Sequence, residues 1–249
     1  MRIRTRQKIE SAVALAAIFG MQLYRASRSM PKNISEQVSH EIADAKNTDR
    51  LASMKYRGKT VITLNKDRPN FKTLSKKPYI KLSKLDSLGR AGKAEMCAYY
   101  TTVSKNERGD ISSVRPSGWH QAFVKKNGRE FALYNRCHIL MWKLSGLNAD
   151  ARNLTTGTEQ YNKRRGMLSV ESKVLDYVET SHKHVMYRVT PVYRGSEAMP
   201  RGCLIEAESE DGRFNLCRYV FNVEDGVSID YSTGRASASS SQISLRSIG

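Results

Sequence analysis

The chain has 249 residues, 39% of them hydrophobic, and carries 42 Lys and Arg against 24 Asp and Glu, a formal net charge of +18. That composition is globular, and the length fits one large domain or two small ones. The four cysteines include no C-x-x-C pair and no His at zinc-finger spacing, which excludes a structural zinc site of that kind.

The charge is uneven. Residues 1–93 hold 21 basic against 7 acidic side chains, whereas residues 94–249 hold 21 against 17. An excess of this size points to a polyanionic partner, either nucleic acid or an anionic lipid or wall polymer, because Lys and Arg near phosphates release counterions. A solvated basic surface is the plain alternative.

In chain order, "MRIRTRQK" is followed by "AVALAAIFGMQLY", 13 residues without a charge. A basic start before a short apolar run is the order of a signal peptide, and 13 residues are short for a membrane span. An uncleaved anchor and an ordinary amphipathic helix stay open, since no clear A-x-A site follows. Residues 1–30 are therefore read as signal or anchor, giving a secreted or surface-tethered protein with membrane or cell-surface association through the N-terminus. Residues 31–55 read as a polar tether.

The globular part is expected from Tyr56. "KTVITLN" alternates as a strand, and "KKPYIKLSKLDSLGRAGKA" reads as a strand or turn entering a Gly-punctuated loop. "HVMYRVTPVY", "CLIEAES" and "RFNLCRYVFNV" are strand-like through Val, Ile, Tyr and Phe. Asp211-Gly212 reads as a two-residue hairpin turn that sets Cys203 opposite Val220, so Cys203 and Cys217 are not disulfide partners. Among these strands "MLSVESKVLDYVET" (167–180) is helical, with Val170, Val174, Tyr177 and Val178 on one face. The class is α+β. The Ser-rich segment 236–249 reads as a disordered tail after a domain over 56–235.

Chemistry concentrates in "LYNRCHILMWKLSG" (133–146) and "ARNLTTGTEQYNKRRG" (151–166). Phosphodiester hydrolysis needs a base, a hard cation and counter-charges, which His, Asn and Arg supply. A lone His138 in an apolar run is more often structural, and Lys163, Arg164 and Arg165 alone read equally as a solvated face. Trp119 and Trp142 are read mainly as core residues, with base stacking the alternative. His120, His182 and His184 are read as structural. "GRAGKA" lacks the G-x-x-x-x-G-K-[ST] form, so no nucleotide cofactor is expected.

Seven ordered stretches across residues 56–235 give the chain a specific resemblance: "LDSLGRAGKA", "PSGWH", "YNRCHI", "NLTTGTEQYN", "GMLSVE", "HVMYRVTPVY" and "FNVEDGVSIDYSTG". Together they resemble the DNA/RNA non-specific endonuclease superfamily, in the branch of Gram-positive secreted DNases. The resemblance implies a ββα-metal (His-Me finger) fold with a central antiparallel sheet. It implies His138 as general base and Asn162 as protein ligand of one Mg²⁺, for which Mn²⁺ substitutes. Arg136 would assist at the substrate or transition state, while Asn153 and Glu171 would position the base or hold metal-bound water. Lys163, Arg164 and Arg165 would contact phosphate. DNA is the implied substrate, RNA a second candidate, and 5′-phosphates the implied products.

Two departures matter. Glu159 stands where the family often has an arginine after "TGT". Asn162 and Glu171 are nine residues apart, on opposite faces of an ideal helix at about 100° per residue. Either a bulge near Gly166 reunites them, or Glu171 lies outside the site. A binding module of the same fold without catalysis is the competing reading, and an N-terminally basic wall- or membrane-associated structural protein is another.

Overall fold

The computed structural model describes residues 48–163 and 165–247. The expected signal or anchor, most of the tether and Arg164 lie outside the described residues. No helix among the described residues is long and apolar enough to cross a membrane.

The frame is a six-stranded antiparallel sheet. Its strands are β1 (Val61–Thr63), β2 (Tyr79–Leu82), β3 (Ala94–Ala98), β8 (Val185–Val192), β9 (Gly202–Ser209) and β10 (Asn215–Phe221), in the order β1-β10-β9-β8-β3-β2. The turn at Asp211-Gly212 sets the β9–β10 register with Cys203 opposite Val220, as the sequence indicates, and all four cysteines are free and buried.

Strand alternation explains how both faces of the sheet are filled. Cys203, Ile205 and Ala207 on β9 face one core with Leu216 and Val220 of β10, whereas Leu204, Cys217, Tyr219 and Phe221 face another. Helix α4 (Met167–Ser181) lies on the first face through Val170, Val174 and Val178. Each of these fully buried valines contributes about 1.5–3 kcal/mol of apolar transfer free energy.

Against the same face stands the unit that carries the site. Strand β6 (Tyr134–His138) pairs antiparallel with β7 (Leu154–Thr158), placing Arg136 opposite Thr156 and His138 opposite Leu154. Between them comes the short helix α2 (Trp142–Ser145), and after β7 come α3 (Glu159–Asn162) and then α4. This is the expected ββα arrangement. Asn222, fully buried, locks β7 to the main sheet: its Oδ1 accepts from Thr158 N, and its Nδ2 donates to the carbonyls of Thr156 and Pro200.

Two boundaries differ from expectation. Residues 48–53 are not tether but a helix, α1, whose Leu51 and Ala52 are buried with Leu64 and Val192. The segment read as a disordered tail forms β12 (Ala236–Ala238), paired with β11 (Val227–Ile229), and β13 (Ile243–Ser247). Strand β13 adds to the hairpin of β4 (Ala122–Lys126) and β5 (Arg129–Ala132), with Leu245 opposite Val124. Serine content concealed the alternation of Ile243 and Leu245, which pack on a small core of Val124, Leu133 and Tyr231.

Candidate active site

His138 ends β6 with 8% of its surface exposed. Its Nε2 lies 2.8 Å from the carbonyl oxygen of Asn148, and a carbonyl only accepts, so Nε2 carries the hydrogen. Nδ1 is therefore left as the unprotonated nitrogen, and Arg108 Nη2 approaches it at 3.3 Å as donor. Burial pushes the imidazole down to about 4, opposed by the Asn148 carbonyl and reinforced by the Arg108 charge. Near neutral pH this ring is neutral, with a lone pair available at Nδ1.

Fully buried Asn153 fixes the chain beyond the histidine. Its Oδ1 accepts from Leu140 N at 2.8 Å, its Nδ2 donates to Leu140 O at 3.0 Å, and its carbonyl accepts from Ile139 N. The side chain acts as a clamp across the β6–β7 end and is committed to backbone on both atoms.

The cavity beside His138 has a volume of about 190 Å³ and is also lined by Asn162, Glu171, Arg108, Lys143 and Lys163. The nine-residue separation is resolved by a break in the helix. Helix α3 ends at Asn162, Lys163 turns extended, and Gly166 opens α4 with φ −127° and ψ −128°. A Cβ at Gly166 would meet the Tyr161 carbonyl oxygen at 1.9 Å, so only glycine lets the chain pass this close. With the helical phase reset, Asn162 and Glu171 share one cavity.

Glu171 is 7% exposed, and burial pushes its carboxyl up to about 8 despite the lowering influence of Arg108. Together with Asn162 it offers an amide oxygen and a carboxyl oxygen. This small, hard donor set suits a cation that keeps most of its own water. No group of three or more His, Cys, Asp or Glu that could hold a metal ion occurs among the described residues, so a four-ligand structural zinc centre is not built there.

Arg136 does not line this cavity. Its guanidinium donates to the carbonyls of Val114 and Ser112 and lies 4.0 Å from the Trp119 ring centroid. It thereby anchors the loop that brings in Arg108, and it walls an adjoining groove of about 320 Å³ with Trp119 and Asn135. Lys163 opens on both spaces, whereas Arg165 turns away to pair with Asp225 at 2.8 Å. Glu159 also points elsewhere, bonded to Arg129 at 2.8 Å, so the acid in place of the family's arginine does not enter the His138 cavity. Trp142 does line it, contrary to the core reading. His184 pairs with Glu210 and stacks on Tyr99, and His182 ends α4 in the left-handed region, as structural residues do.

Sequence reasoning missed Arg108, Lys143 and Asn148. Asn148 acts through its backbone carbonyl, which no side-chain motif reveals.

Residues 69–211 match the family described as DNA/RNA non-specific endonuclease. Over 106 residues the chain is 34% identical to a deoxyribonuclease from Streptococcus dysgalactiae subsp. equisimilis, an alignment covering 41% of this chain but only 32% of the relative's length. Among solved structures it is similar to the Sda1 nuclease with a bound zinc ion, at 30% identity and TM-score 0.59 over 71% of this chain and 95% of that one. It shares the fold of NucA from Streptococcus agalactiae with magnesium bound, at 24% identity and TM-score 0.67 over 78% and 94% of the two chains.

Proposed function

The chain belongs to the DNA/RNA non-specific endonuclease family of hydrolases, and we propose that it cuts DNA, with RNA as a second substrate, by metal-dependent hydrolysis with little sequence preference. The observation that carries this reading is the convergence of His138, Asn162 and Glu171 on one cavity rimmed by Arg108, Lys143 and Lys163. The N-terminal basic and apolar run supports export from the cell.

In this account His138 removes the proton from the attacking water at Nδ1. The Asn148 carbonyl holds the Nε2 hydrogen, so ring orientation and tautomer are set before substrate arrives. Desolvation keeps the base unprotonated at neutral pH. Arg108, released from Nδ1 as water takes that lone pair, is placed to donate to a phosphate oxygen, and Lys143 and Lys163 add positive charge around it. Asn162 is the residue that would hold one Mg²⁺, with Mn²⁺ as a substitute, and Glu171 would add an oxygen to its surroundings. When bound, such a cation supplies Lewis acidity toward the phosphate and the departing 3′ oxygen. Sequence tolerance follows from cations that address phosphate rather than base edges.

Calorimetric titration of Mg²⁺ into wild type and Asn162→Ala tests the ligand assignment. Loss of measurable binding in a folded variant is the expected result. Wild-type affinity in that variant would remove Asn162 from its role.

A further inference from the structure

Beside the His138 cavity lies a larger open groove of about 640 Å³. One wall is the β4–β5 hairpin, with Lys126, Arg129 and Phe131, and the other is α3 and its continuation, with Glu159, Lys163 and Arg165. Lys163 lines both spaces, so the two are neighbours on one side of the molecule. Hydrolysis at a single phosphate makes no use of this groove, yet cations from two sequence-distant elements converge on it.

Their bonding leaves positive charge available. Lys126 Nζ donates to the Asp225 carbonyl, a neutral acceptor that does not cancel its charge. Lys163 is exposed and forms no ion pair among the described residues. Arg129 and Arg165 pair with Glu159 and Asp225, but their side chains are 69% and 59% exposed, and each pair ties down only part of a five-donor guanidinium. Glu224 also lines the groove and is nearly buried, with Oε2 taken by Gln160 N.

We infer that this groove is a second phosphate-binding subsite, which grips the nucleic-acid strand where it leaves the His138 cavity. Glu159 attenuates it by holding Arg129. The inference rests on the nuclease reading and extends it: long substrates are bound at two places, short ones at one.

The test is fluorescence anisotropy of the full chain with labelled single-stranded oligonucleotides of increasing length, in EDTA, across a range of NaCl. In wild type the slope of log Kd against log salt steepens once the strand reaches the groove. The Lys126→Ala/Arg129→Ala variant lacks that step, its slope on long strands flattening by about 1–2, at roughly 0.7 for each phosphate no longer neutralised. Glu159→Gln, which removes no packing, binds long strands more tightly than wild type and decides the matter if the double variant does not fold. Unchanged affinity and slope in both variants, with wild type still binding and cutting DNA, would overturn the subsite alone. A wild type that neither binds nor cuts DNA would overturn the nuclease reading with it.

Discussion

Asn162 and Glu171 line the same cavity although nine residues separate them, because the helix between them is broken and restarted at Gly166. The break is enforced by packing, since any Cβ at Gly166 collides with the Tyr161 carbonyl. Gly166→Ala must therefore displace the segment that carries Asn162. A displacement near 1 Å costs on the order of 100-fold in rate. Activity assays should show a loss of that order, with Mg²⁺ affinity measured by calorimetry reduced in parallel.

Arg108→Ala separates the electrostatic role of that side chain from burial. In wild type, burial and then the Arg108 charge hold His138 near 4, so the acid limb of kcat/KM at saturating metal should rise through about pH 4. Removing Arg108 leaves desolvation in place but deletes the repulsion, so the acid limb should move toward the ordinary histidine value near 6.5. A pH–rate profile with the limb unmoved would mean that Arg108 does not act on the base.

Stability in EDTA should carry the signatures of both buried groups. His138 has a depressed folded pKa, so the unfolded chain takes the proton first and stability falls as pH drops from about 6.5 toward 4. Glu171 has a raised one, so its contribution is fully present below about 4.5 and is lost as pH rises through about 8. Thermal melts of Glu171→Gln should lack the loss that wild type shows between about pH 4.5 and 8, and those of a folded His138→Asn variant the loss it shows below about pH 6.5.

Asn222 joins Thr156, Thr158 and Pro200 while fully buried. Asn222→Ala strands up to three backbone groups, each costing about 1–3 kcal/mol when left unsatisfied. Urea denaturation should show a destabilisation of about 3 kcal/mol or more. A loss below about 0.5 kcal/mol, the level of a neutral surface change, would mean that water replaces the side chain.

Much of the fold was legible where a short-range rule applies. Helix α4 declares itself through Val170, Val174 and Val178, and the Asp211-Gly212 turn sets the register of β9 and β10. The turn of Asn127, at φ 51°, and Gly128, at φ 75°, between β4 and β5 is a short-range signal of the same kind. Burial of Leu51 and the pairing of β13 with β4 depend on partners far along the chain, which local composition does not express. The same holds in the site. The resemblance singles out His138, Asn153 and Asn162 and leaves Glu171 open, because helical phase across a glycine break cannot be counted from sequence. Arg108 and the Asn148 carbonyl reach His138 from loops without a motif.

The central claim is that His138 is a general base serving a metal-dependent nuclease. It is tested most directly by plasmid cleavage with purified wild type and His138→Ala, each with Mg²⁺ and with EDTA. The account predicts degradation by wild type in Mg²⁺, none in EDTA, and a loss of about 100- to 10,000-fold in the folded variant. Equal cleavage by wild type and variant would contradict the assignment of the base. Binding without cutting by wild type across several divalent metals would leave a nucleic-acid-binding protein that keeps the fold and lacks the reaction.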